Sequence, residues 1–145
     1  MINTIELPYP LDALEPYYSK EALSLHYHEL YKGYVTNTNK VQEELQRARE
    51  TGNFENIKCL EKNLSFFGSG VILHELFFSN MGPAIPTSPS ENLTLWGCIP
   101  LLVLDMWEHS YYLQYKTKKN DYINQFWNIL NWNEVNKRWR QIKVL

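Results

Sequence analysis

Asp105-Met106-Trp107-Glu108-His109-Ser110-Tyr111-Tyr112 packs a carboxylate, an imidazole and a wall of aromatic rings into eight residues. A carboxylate and an imidazole four positions apart point the same way when a helix starts between them, a spacing that metal sites use. Alone, that spacing says little. Its weight comes from the rest of the chain, which has only four histidines in 145 residues, two of them where a buried ligand has to lie.

Read as a helix, the segment 55–79 places Ile57, Leu60, Leu64, Phe67, Val71, His74 and Phe78 on one stripe, with His74 facing inward. The earlier segment 20–49 gives Leu23, His26, Leu30, Tyr34, Asn37, Val41 and Leu45, with His26 between two leucines; His28 falls off the stripe, toward solvent. One imidazole on an apolar stripe is ordinarily a core histidine satisfied by a backbone carbonyl. Two of them on separate helices, together with Asp105 and His109, would leave several desolvated polar groups at about 1–3 kcal/mol each. A single bound cation satisfies all four. Three neutral imidazoles and one carboxylate suit iron or manganese, whereas catalytic zinc keeps three protein ligands and calcium or magnesium prefers oxygen.

These residues resemble the iron/manganese superoxide dismutase family. Asp105-x-Trp107-Glu108-His109-Ser110-Tyr111-Tyr112 is similar to the family's most specific signature without a mismatch. Leu7-Pro8-Tyr9 with Ala13-Leu14-Glu15-Pro16 resembles its start, His26 with Tyr34-Val35 its first helix, and Gly68-Ser69-Gly70 leading to His74 its second ligand helix. Trp127-Asn128-Ile129-Leu130-Asn131-Trp132 resembles its C-terminal helices. The resemblance implies one iron or manganese ion per chain held by His26, His74, Asp105 and His109, with Tyr34 and Trp107 as catalytic residues on the substrate side. It implies superoxide as substrate and a homodimer in which Glu108 reaches the partner's His109 and Tyr112 lies at the interface.

The departures bear on activity. Family members pass through a helical segment and an antiparallel sheet before the signature, whereas this chain runs from Met81-Gly82-Pro83 through a Pro/Ser stretch straight to Trp96. With the sheet goes the glutamine that orients metal-bound solvent in manganese-type members; the iron-type position for it is Gly70. The family's channel histidine is Leu30, and Phe77 and Phe78 keep the apolar wall. Three readings follow: a minimal active dismutase, a metal-binding relative without significant dismutation, and a structural or assembly protein that keeps the site as a folding staple.

The expected fold is mainly α: an N-terminal long helical hairpin plus a short C-terminal helical segment, with the family's antiparallel sheet largely missing. The hairpin occupies 1–82, a Pro/Ser linker 83–98 and the truncated ligand segment 99–145, together one structural unit. Ser19 is the expected N-cap of the first helix, Gly33 with Thr36-Asn37-Thr38-Asn39 predicts a bend in it, and Thr51-Gly52-Asn53 is the hairpin turn. The stretch 99–104 is short, apolar and β-like, and helices are expected at 107–116, 121–130 and 134–142. The basic run Lys137-Arg138-Trp139-Arg140 reads as a solvated helix face.

Composition is that of a compact protein, 44% hydrophobic and 14% aromatic, enough to bury one core. A net charge of −2 argues against a nucleic-acid surface. Cys59 and Cys98 form neither a metal-type spacing nor a disulfide framework, no signal peptide is evident and no stretch approaches a membrane span. A cytoplasmic location is the expectation from these features.

Overall fold

The computed structural model describes residues 1–82 and 100–142; the expected linker and Cys98 lie outside them. Helix α1, Lys20–Leu25, begins where Ser19 caps it, its hydroxyl accepting from the Ala22 N–H at 3.2 Å. A π-helical turn, His26–Tyr31, follows, and α2 continues over Lys32–Thr51. Gly52, at φ 67°, closes the helix in the left-handed region and turns the chain. Helix α3, Ile57–Ser79, returns antiparallel against α2.

The irregularity in the first long helix is therefore not at Gly33 and the 36–39 run, where a bend was expected, but one turn earlier. Thr36 and Thr38 sit in regular helix, their hydroxyls donating to the carbonyls of Lys32 and Tyr34, four residues back. Asn39 instead exchanges two hydrogen bonds with the backbone of Ile2, at 2.7 and 2.9 Å, which pins the N-terminal segment along the helix. In the π turn the Lys32 N–H reaches back five residues to the Tyr27 carbonyl. That extra residue rotates everything downstream, so the buried positions become Tyr27, Tyr31, Val35 and Thr38, while Leu30, Tyr34 and Asn37 are only half-buried.

The C-terminal part is built of α4 (Glu108–Tyr115), α5 (Lys119–Phe126) and α6 (Trp132–Ile142). Among the described residues there is no strand, and residues 100–104 do not form the short β segment expected of them. A strand needs a ladder partner; here Leu102, Val103 and Leu104 pack on the core instead, and the Val103 carbonyl accepts from the Asn80 side chain at 3.0 Å. The end of α3 is tied to the α5–α6 corner by a single bridge between Met81 and Leu130, with Gly82 N–H donating to the Ile129 carbonyl at 2.9 Å. Gly82 has φ 100°, and a Cβ there would meet the Tyr9 ring at 2.3 Å, so only glycine fits.

One aromatic-rich core joins the two halves. Tyr18, Leu23, Tyr31, Phe77, Phe78, Tyr122 and Phe126 are all essentially inaccessible, and Val41, Leu45 and Leu60 form a second cluster farther along the hairpin. The basic run on α6 is not a solvated face throughout. Arg138 is 5% exposed, with its guanidinium donating to the Leu101 carbonyl at 2.9 Å and the Ser79 hydroxyl at 3.0 Å. It clamps α6 to the end of α3 and to the segment before the signature, and burial lowers its pKa from the ordinary value.

Candidate metal centre

Four side chains from three parts of the fold meet at one point. His26 opens the π turn, His74 lies five residues before the end of α3, His109 is in the first turn of α4, and Asp105 precedes that helix. One oxygen of Asp105, Oδ2, lies 3.0 Å from His109 Nε2, 3.2 Å from His26 Nε2 and 3.6 Å from His74 Nε2. One donor atom from each of the four falls within 4.8 Å of every other, an arrangement able to hold one metal ion. The other carboxylate oxygen accepts from the Trp107 N–H at 2.9 Å, which turns the chain into α4 and fixes the carboxylate plane.

The donor set fits a cation for a reason internal to this structure. His26 and His74 are buried, and the Nε2 atoms of both lack a hydrogen-bond partner. Their other ring nitrogens are engaged: His74 Nδ1–H donates to the Gly70 carbonyl at 2.6 Å, and His26 Nδ1 is 2.9 Å from the Tyr18 hydroxyl. A carbonyl only accepts, so the His74 proton sits on Nδ1 and its Nε2 presents a lone pair to the centre. The buried His74 lone pair, 3.6 Å from the Asp105 carboxylate, repels it unless something positive lies between them.

The electrostatics point the same way. Burial, then the neighbouring His26, push the His74 imidazole down to about 4; burial likewise lowers His26, against the pull of Asp105. Burial works to raise the Asp105 carboxyl, but the hydrogen bond from His109, adjacent His26 and the Trp107 N–H outweigh it and hold it well below the usual carboxylate range. Neutral imidazoles beside an ionised carboxylate are the protonation states in which these groups ligate metals.

Tyr34 stands beside the cluster, its ring 4.9 Å from that of His74. A Cβ on Gly70 would lie 2.4 Å from the Tyr34 ring, so the glycine makes room for it. Trp107 stacks near His109 at 6.2 Å but is 68% exposed and does not by itself cover the centre. Glu108 and Tyr112 are exposed on the same face. Phe77 and Phe78 wall His26, with ring centroids at 5.1 and 5.3 Å. Two buried residues escaped the sequence reading. Tyr18 lies before the N-cap, where helical periodicity carries no information, and Tyr122, whose hydroxyl donates to the Asp105 carbonyl at 3.0 Å, comes from α5.

Comparison with known proteins accords with the geometry. Residues 3–82 match the family model for iron/manganese superoxide dismutases, alpha-hairpin domain. The chain is 32% identical over 194 aligned positions to a superoxide dismutase [Mn/Fe] of Propionibacterium freudenreichii subsp. shermanii, covering 96% of each protein. It is 35% identical over 188 positions to a superoxide dismutase [Fe] of Methanothermobacter marburgensis, covering 92% of this chain and 93% of the relative. It is 32% identical over 187 positions to a mitochondrial superoxide dismutase [Mn] of Cryptococcus neoformans var. grubii, with 91% and 83% covered. Each alignment is longer than the 145-residue chain, so each crosses positions that the chain lacks. With its hairpin matched and its signature intact, the chain belongs to the iron/manganese superoxide dismutase family, as a shortened member.

Proposed function

We propose that His26, His74, Asp105 and His109 hold one iron or manganese ion and that the loaded protein dismutates superoxide. The observation that carries this reading is the pair of buried, unpartnered Nε2 atoms of His26 and His74 aimed at one carboxylate oxygen. When bound, the ion supplies the one-electron chemistry that takes one superoxide to dioxygen and the next, with two protons, to hydrogen peroxide. Tyr18 and the Gly70 carbonyl orient two of the imidazoles, and His109 Nε2 lies 3.0 Å from the Asp105 carboxylate oxygen that the ion would share.

Tyr34 holds a proton at its hydroxyl. Burial first, and then the Asp105 charge, raise its pKa above the ordinary tyrosine value, so the phenol stays protonated and available at the cavity wall. Trp107, Glu108 and Tyr112 are exposed together beside His109, the arrangement of an interface that a second copy closes. A homodimer supplies the cover for Trp107 that one chain does not; sedimentation of the loaded protein as a monomer at micromolar concentration contradicts it. The hairpin 1–82 and the ligand segment 99–145 act as one cytoplasmic unit joined by the 83–98 linker. No described helix is long and apolar enough to cross a membrane.

Loss of the solvent-orienting glutamine lowers the rate without abolishing it, since outer partners of metal ligands typically account for about 10–100-fold in activity. The test is the decay of pulse-generated superoxide with iron- or manganese-loaded protein, using Asp105→Ala as the blank. Faster decay with the native chain supports the reading. Equal decay leaves a metal-holding role without dismutation.

A further inference from the structure

We propose that the cavity over this centre is a binding site for a small aromatic oxyanion of the phenolate or catecholate class. The proposal rests on the metal reading above, because the oxygen end of such a ligand needs the ion. The cavity has a volume of about 700 Å³, whereas a water molecule takes roughly 30 Å³ of liquid and superoxide has only two atoms. It falls in the size range of sites for organic small molecules, about 300–1,000 Å³. A diatomic substrate leaves most of it unused.

Its chemistry is divided in two. The floor carries His74, Asp105 and His109, and the walls are mainly apolar. Tyr34 and Phe66, with ring centroids 5.8 Å apart, stand on the hairpin side, and Trp107 stands on the signature side. Phe66 is 53% exposed, a large apolar surface left wet beside a polar floor. A ligand that satisfies both ends is flat and apolar at one end and an oxygen donor at the other. Lys62 also lines the cavity, so an anion is favoured over the neutral phenol. With the ion bound, the phenolate oxygen would replace one water molecule at the centre, the water and the phenolic proton both leaving to solvent with no change of oxidation state.

The test titrates iron(III)-loaded protein with catechol and, separately, with azide, following the visible charge-transfer bands and assaying iron retained on the protein after gel filtration. Ser69→Trp places an indole in the cavity from its α3 wall; Ser65→Trp, one turn away on the same wall, serves if that variant does not fold. The expected result is a saturable catechol band with full iron retention, weakened at least about tenfold by Ser69→Trp while azide affinity changes less than about threefold. An azide band without a catechol band overturns this proposal alone, as does catechol binding that the indole leaves unchanged or that strips the iron. Protein that retains no iron and shows neither band overturns the metal reading and this proposal with it.

Discussion

Replacing Tyr18 with phenylalanine removes one oxygen atom from the core and isolates what that oxygen does. Tyr18 and His26 are both at 0% exposure, and the hydroxyl lies 2.9 Å from His26 Nδ1. No solvent can take its place, so Tyr18→Phe leaves the Nδ1 group buried and unpaired at a cost of about 1–3 kcal/mol in stability. The second consequence concerns the ion. Without its Nδ1 partner, the His26 ring is freer to turn and to carry its proton on Nε2, the atom that faces the centre; losing such a partner typically costs about 10–100-fold in metal affinity. Chelator competition for manganese(II) measures the affinity and urea unfolding of the metal-free protein measures the stability. Tyr122→Phe is the comparator, because its hydroxyl binds the Asp105 backbone carbonyl and no ligand side chain. It should lower stability while moving affinity less than about tenfold. Equal metal affinities for Tyr18→Phe, Tyr122→Phe and the native chain would refute the reasoning.

In Gly70→Ala the new Cβ sits 2.4 Å from a Tyr34 ring carbon, so the ring must move, and thermal unfolding should show a loss of about 1–3 kcal/mol; an unchanged midpoint contradicts the crowding. Arg138→Met strips the Leu101 carbonyl and the Ser79 hydroxyl of a buried donor, an expected loss of about 2–4 kcal/mol by urea titration, against none if that run were a solvated face. Metal-free protein should lose stability in acid. His74 titrates at about 4 in the fold and 6.5 as an unperturbed group, so between those values the unfolded chain binds the extra proton. Stability therefore rises with pH through that window and falls by up to about 3 kcal/mol as pH drops through it, with His26 adding in the same sense. Urea midpoints that stay level from pH 7 to pH 4 contradict it.

What could be read from the chain depended on how local each determinant is. His74 was legible because α3 is regular, so a 3.6-residue period carries from Leu60 through Val71 to the imidazole. Asp105 and His109 were legible because one local turn aligns them. His26 was placed correctly, but its downstream neighbours were not: the π turn inserts a residue that apolar spacing does not announce, and burial passes from Leu30 and Tyr34 to Tyr31 and Val35. Tyr18 and Arg138 were invisible for another reason. Tyr18 meets His26 only because the chain doubles back through the turns before Ser19, and Arg138 is buried only because Ser79 and Leu101 arrive from distant parts of the sequence. The segment 100–104 misled because its apolar residues have a core to pack on without a strand to pair with.

X-ray absorption at the metal edge, on protein loaded with iron or manganese and quantified by elemental analysis, tests the central claim most directly. The prediction is one ion per chain, with scattering from three imidazole rings and oxygen donors at roughly 2.0–2.2 Å, a range taken from zinc sites with the same ligand types. In His74→Ala the imidazole contribution should drop to two or the ion should be lost. An ion bound with fewer than three imidazoles in the native chain, or a spectrum that His74→Ala leaves unchanged, would contradict the assignment of His26, His74, Asp105 and His109 to a single metal centre.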